Sequence, residues 1–217
     1  MIRLTVFLLS ICLSICSISS IAQTHVVLQT NNVYDAQAFY ADDQEHGYQD
    51  WDDNAIKFSR VAYYLAELEL SDGNSTEELT DTYVLVKSDI TDYYLGTTGL
   101  GSISSVKFGL GVDEPHNHLD PATYPPDHPL GHHVPDMHWG WSAGYKFVVL
   151  EGFADNNSDG TPNALFQFHC LEDAQYQDSI HVATTSQLSN DTLYIKINVN
   201  HKGWIKNVNV PDAGVLH

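Results

Sequence analysis

Six prolines fall between Pro115 and Pro135 of this 217-residue chain: Pro115, Pro121, Pro125, Pro126, Pro129 and Pro135. Proline has no backbone N–H and a fixed φ, so the stretch cannot be one helix or a central strand. A long ordered loop is expected there, and long loops inside compact domains are usually functional or disordered. The 23 residues from His116 to His138 hold half of the twelve histidines: His116, His118, His128, His132, His133 and His138. They run directly into Trp139-Gly140-Trp141. Neutral imidazole is the commonest protein ligand for zinc, copper and nickel, so a metal site is the first hypothesis.

The rest of the chain shows little helical periodicity. Short β-rich runs separated by Asn, Asp and Gly turns dominate. Strands are expected at His25–Leu28, Ser59–Leu70, Thr82–Lys87, Val106–Val112, Lys146–Gly152, Leu165–Cys170, Ser179–Ala183 and Leu193–Val199. Gly96–Leu100 is expected to be loop, and Thr76–Thr80 a helical turn. This pattern fits an all-β fold: an antiparallel β-sandwich with Greek-key-like links, interrupted by the long His/Pro-rich loop. One domain is expected over residues 23–217, preceded by a signal peptide at 1–22.

The leader has the expected parts. Arg3 gives a positive start, Val6 to Ile18 an apolar stretch, and Ser20-Ile21-Ala22 a small-x-small cleavage site before Gln23. The serines at 10, 14, 17, 19 and 20 dilute it too far for a span of about 20 apolar residues, and no other segment is apolar enough to cross a bilayer. Periplasmic or secreted localisation follows. Removal of the leader takes Cys12 and Cys16 with it and leaves Cys170 alone, which excludes an internal disulfide. The formal net charge is −19, from 9 Lys+Arg against 28 Asp+Glu. That argues against nucleic acid as a partner. The run Asp42, Asp43, Glu45, Asp50, Asp52 and Asp53 is expected to be a solvated face.

Several motifs bear on chemistry. His116-Asn117-His118 is an H-x-H pair whose rings would face one side of an extended segment. The cupin pattern is not met, because Leu110, Ala122 and Thr123 stand where its Gly and Glu belong. Adjacent His132 and His133 point apart in an extended chain, so at most one faces a shared site, and His128 reads as a bystander. In Leu165–Cys170, alternation puts Phe166, Phe168 and Cys170 on the core face and His169 on the other. Asp155, Asn157 and Asp159 with Gly160 match the start of a calcium loop, but Phe166 stands where the twelfth-position Glu belongs, and a hairpin turn explains the same residues. The chain lacks H-E-x-x-H, G-x-S-x-G and C-x-x-C-H, which removes zincins, the usual hydrolase elbow and covalent haem.

Four blocks carry a resemblance. They are Phe108-Gly-Leu-Gly-Val-Asp113, Leu119-Asp120-Pro121, Met137-His-Trp-Gly-Trp-Ser-Ala-Gly-Tyr-Lys-Phe-Val-Val-Leu-Glu-Gly152 and Phe168-His169, supported upstream by Lys57–Leu70 and Tyr83–Lys87. Together they resemble the MbnP-like copper-binding domain family over most of the chain. The resemblance implies an exported β-rich protein in which copper, as Cu(I) or Cu(II), is held by two histidines and an oxidised tryptophan, kynurenine. It implies a separate di-haem oxidase partner that modifies the tryptophan. It points to His169 as a ligand and to Trp139 and Trp141 as the tryptophan block. His138 departs from a position that is often aromatic in relatives, and the loop is richer in histidine than the family pattern.

The expectation is therefore a non-enzymatic copper protein for transport, storage or delivery, with ligands among His116, His118, His132, His138 and His169. Two alternatives stand beside it. One is a zinc or non-haem metalloenzyme using the same histidines, with Glu114, Asp120 or Asp136 as base. The other is a structural or adhesion sandwich stabilised by Ca2+ at Asp155, Asn157 and Asp159.

Overall fold

A computed structural model describes residues 23–42 and 45–217, so the leader expected at 1–22 lies outside the described residues. The strands are β1 (Thr24–Tyr34), β2 (Gln37–Ala38), β3 (Tyr48–Gln49), β4 (Ala55–Ser71), β5 (Thr76–Glu78), β6 (Val84–Lys87), β7 (Asp92–Thr98), β8 (Ser105–Leu110), β9 (Val148–Ala154), β10 (Ala164–Cys170), β11 (Gln177–Ala183), β12 (Gln187–Ser189), β13 (Thr192–Asn200) and β14 (Val215–Leu216). Two one-turn α-helices, α1 (Glu114–Asn117) and α2 (Val210–Ala213), and three short 3-10 helices, Pro121–Thr123, Asp173–Gln175 and His201–Ile205, complete the set. One sheet runs β12-β13-β1-β2 with β7 also on β1. The other runs β11-β8-β4-β9-β10-β14, with β3, β5 and β6 also on β4. The all-β, sandwich-like architecture is as expected. Two pairings are parallel, β1 with β13 and β10 with β14; the rest are antiparallel.

Two expectations need correction. Gly96–Leu100 is not all loop, because β7 ends at Thr98 and pairs with β1. A register shift opposite Val26/Val27, beside Gly96 at φ 117°, breaks the alternation that would have marked this strand. Thr76–Glu78 is a strand rather than a helical turn, since it closes a hairpin on Glu69–Ser71 of β4. Tertiary pairing outweighs local propensity in so short a segment.

The central strand β4 buries every residue from Val61 to Ala66. A strand covered on one face would alternate; continuous burial means that both faces are covered. Tyr63 packs on Trp204, while Tyr64 donates its hydroxyl to the Pro129 carbonyl at 3.0 Å and meets Tyr145 edge-on. The second cover is the His/Pro-rich segment itself. It is anchored by fully buried Leu130 and Tyr145 and by Asn117, whose side chain accepts from the Tyr145 amide at 2.8 Å. The loop is thus a packed strap across the outer face of β4 and β9.

Asp50 corrects the expectation of a solvated acidic face. It is buried and accepts from the amides of Asp52, Asn54 and Val210. That last bond ties the start of α2 to the β3–β4 turn. Gly152 has a similar constraint: a Cβ there would fall on the Lys57 carbonyl and the Phe166 ring. Gly152→Ala is expected to cost about 1–3 kcal/mol, read as a lower denaturation midpoint at an unchanged m-value.

His201 is fully buried against Phe39 and donates from Nε2 to Asn32 Oδ1 at 3.1 Å. Burial pulls its pKa down to about 4. A ring kept neutral by the fold costs stability on acidification: nothing is lost above about pH 6.5, and the loss grows as pH falls towards 4. The expected loss by pH 4 is on the order of 3 kcal/mol. His201→Phe should remove that part of the slope of stability against pH.

Candidate metal centre

Sheet register brings the site together. Arg60 on β4 is the direct partner of Glu151 on β9. Glu151 is opposite Gln167 on β10, and His169 lies two residues further along the same face. β14 runs parallel to β10 with Gln167 beside Val215 and Phe168 beside Leu216. The same spacing carried one residue further sets His217 beside His169, and their ring centroids are 4.8 Å apart. His217 was not among the residues singled out from the sequence. Its signal is the Gly214-Val-Leu-His217 end, which has no pairing information of its own.

His169 is the best-defined group. Its side chain is 4 % exposed, and Nε2 is 2.8 Å from Glu151 Oε1. Nδ1 is buried and has no hydrogen-bond partner. Glu151 is itself within 3.6 Å of the Arg60 guanidinium. The bond from His169, then Arg60, hold the Glu151 carboxyl below the usual range against the opposing effect of burial. A hollow of about 260 Å³ opens beside the pair, with His169, Glu172, Gln175 and His217 among its lining residues. Cys170 also borders it, but burial pushes the thiol pKa up and favours the protonated form. Phe166, Phe168 and Cys170 pack with the core, as alternation implied.

The tryptophans arrive on a hairpin. Lys146 N bonds Met137 O at 2.7 Å, Trp139 N bonds Gly144 O at 2.8 Å, and Gly140 at φ 116° lets the chain reverse. Trp139 lies 5.4 Å from the His169 ring and 4.7 Å from the His217 ring. Lys146 Nζ sits over the indole at 4.8 Å and donates to the Asp136 carbonyl. Trp141 is at the hairpin tip and 65 % exposed, against 46 % for Trp139. Of the W-x-W pair, only Trp139 has a ring contact with the two imidazoles.

The loop histidines are held elsewhere. His116 Nδ1 is 2.6 Å from Asp113, which also receives the Tyr83 hydroxyl. His118 places Nδ1 3.0 Å from the Trp141 carbonyl and Nε2 2.9 Å from Asp173. His128 stacks on Tyr124, and His133 donates from Nε2 to the Pro129 carbonyl. His132 is exposed. His138 pairs with Tyr145 and has a buried Nε2 without a partner; burial lowers its pKa. Among the described residues, no group of three or more His, Cys, Asp or Glu side chains is placed to hold a metal ion. At Asp155 the carboxylate accepts from the amides of Asn157, Asp159 and Gly160. Those bonds account for the segment as a hairpin turn and lend nothing to Ca2+. No helix among the described residues is long and apolar enough to cross a membrane.

The all-β, sandwich-like domain thus gathers two imidazoles and an indole beside one sheet face. The chain belongs to the MbnP family, whose sequence profile matches residues 23–217. Its fold is similar to that of the solved MbnP from Methylosinus trichosporium, with a TM-score of 0.53 at 15 % identity, over 81 % of this chain and 76 % of that one. No curated protein sequence matches significantly.

Both His118 nitrogens face acceptors, so both bonds form only with the imidazolium. Asp173, then the Trp141 carbonyl, raise its pKa. The clasp is whole below pH 6.5 and is lost as pH rises through the folded pKa. Hydrogen-exchange protection at the Trp139 and Gly144 amides should fall in that window. Asp173→Asn should lower the protection and weaken its pH dependence.

Proposed function

We propose that this chain is an exported, non-enzymatic copper-binding protein that holds a single copper ion between His169 and His217, with Trp139 beside them. Membership of the MbnP family supports a copper-related role. The observation that carries the ligand assignment is the second imidazole packed beside His169, whose Nδ1 is buried and unpartnered; His138 Nε2 and His201 Nδ1 are buried and unpartnered too, but no second imidazole packs on those rings among the described residues. An imidazole nitrogen shielded from water and bonded to nothing is costly unless a ligand takes its lone pair. Two imidazoles suit copper, and choice among metals then follows from geometry and supply. The strap histidines His116, His118, His128 and His133 have structural partners in this reading.

Trp139 is the tryptophan placed for oxidation to kynurenine. The family resemblance attributes that oxidation to a separate di-haem oxidase. Kynurenine gains one oxygen and loses one carbon relative to tryptophan, and its aryl amine adds a donor beside the two rings. Transport, storage or delivery in the periplasm or outside the cell is the corresponding role.

Copper analysis and chelator competition on protein from its own host test the assignment. His169→Ala and His217→Ala are each expected to weaken copper binding by at least about 100-fold, the loss of one of two ligands at a few kcal/mol. His116→Ala and His132→Ala should stay within a few-fold of the parent. Equal loss from the loop variants, with no effect at His217, would contradict the assignment.

A further inference from the structure

We infer that Glu151 is a positioning residue that makes Nδ1, rather than Nε2, the copper-ligating nitrogen of His169. The inference rests on the copper reading above and adds which atom binds and what fixes it. A carboxylate only accepts hydrogen bonds. At 2.8 Å from Glu151, Nε2 must therefore carry the proton, and the lone pair of the neutral ring is on Nδ1.

The carboxylate is itself held. Arg60 is its direct cross-strand neighbour, at 3.6 Å. The other end of that guanidinium reaches the Pro135 carbonyl at 3.3 Å and Met137 Sδ at 2.9 Å. One row of side chains thus links the ring orientation of His169 to the strap that carries Trp139. The bond is well shielded, with Glu151 17 % exposed and His169 4 %. Binding through Nε2 would need the metal to enter between the ring and Glu151, breaking that bond. Binding through Nδ1 leaves the row intact. An outer carboxylate of this kind orients a ligating imidazole and raises its basicity, and its loss typically costs 10–100-fold in affinity.

The test compares Cu(II)-loaded parent and Glu151→Gln by chelator competition and by pulsed EPR of the remote imidazole nitrogens. Gln keeps the size and an acceptor oxygen but not the charge. The expected result is about 10–100-fold weaker binding, with an altered quadrupole coupling for one remote nitrogen, the hydrogen-bonded Nε2 of His169. Glu151→Asp, which keeps the charge, should recover part of the affinity, and it serves as the variant if the Gln form does not fold. Unchanged or tighter binding with an unaltered remote-nitrogen signal would overturn the inference while leaving the copper site standing. A parent protein that binds no copper would instead remove the copper reading and the inference together.

Discussion

The site depends on a short parallel pairing. His217 can face His169 only because Val215 and Leu216 run alongside Gln167 and Phe168. Little holds this contact in place locally: Gln167 N bonds the Gly214 carbonyl at 2.9 Å, and both β14 residues are about half exposed. The placement is set from further away. Buried Asp50 takes the Val210 amide, so a carboxylate at the β3–β4 turn fixes where α2 begins. Asn209 accepts from the Asp212 amide and caps the same turn. Gly214 at φ 58° then turns the chain into β14. A bond spanning 160 residues of sequence thereby decides where an imidazole lands.

The strap supplies the other half. Its prolines exclude regular structure, yet it is packed, because Asn117, Leu130, Met137 and Tyr145 give it buried anchors over β4. Its hydrogen-bonding capacity is largely spent locally. Asp113, Asp173 and the Pro129 and Trp141 carbonyls each take a ring nitrogen. That is why a dense cluster of histidines does not converge on one point. Density in sequence is not proximity in space when rings such as those of His116, His118 and His133 take nearby acceptors first.

The legible part of the fold was the part written in alternation. Leu165–Cys170 showed its two faces, and the structure keeps Phe166 on the core side and His169 on the other. The run Ser59–Leu70 was visible as a strand, although not its extension to Ala55 or its cover on both faces. The Trp-Gly-Trp and Leu-Glu-Gly blocks are legible as motifs, and the geometry supplies their reason. Gly152 has no room for a Cβ, Glu151 bonds His169, and Trp139 meets the imidazoles. What stayed hidden was non-local. β7 lost its period at Gly96, and His217 gained its meaning only from pairing with a strand about fifty residues earlier, which no local propensity encodes.

Histidine-ring 15N NMR during titration of the protein with Cu(I) tests the central claim most directly, because that ion is diamagnetic and each ring reports separately. The account predicts large shifts confined to His169, at Nδ1, and to one ring nitrogen of His217. The rings of His116, His118, His128, His132, His133 and His138 should stay where they were. Shifts that appear first in the strap histidines, with His169 and His217 unmoved, would contradict it.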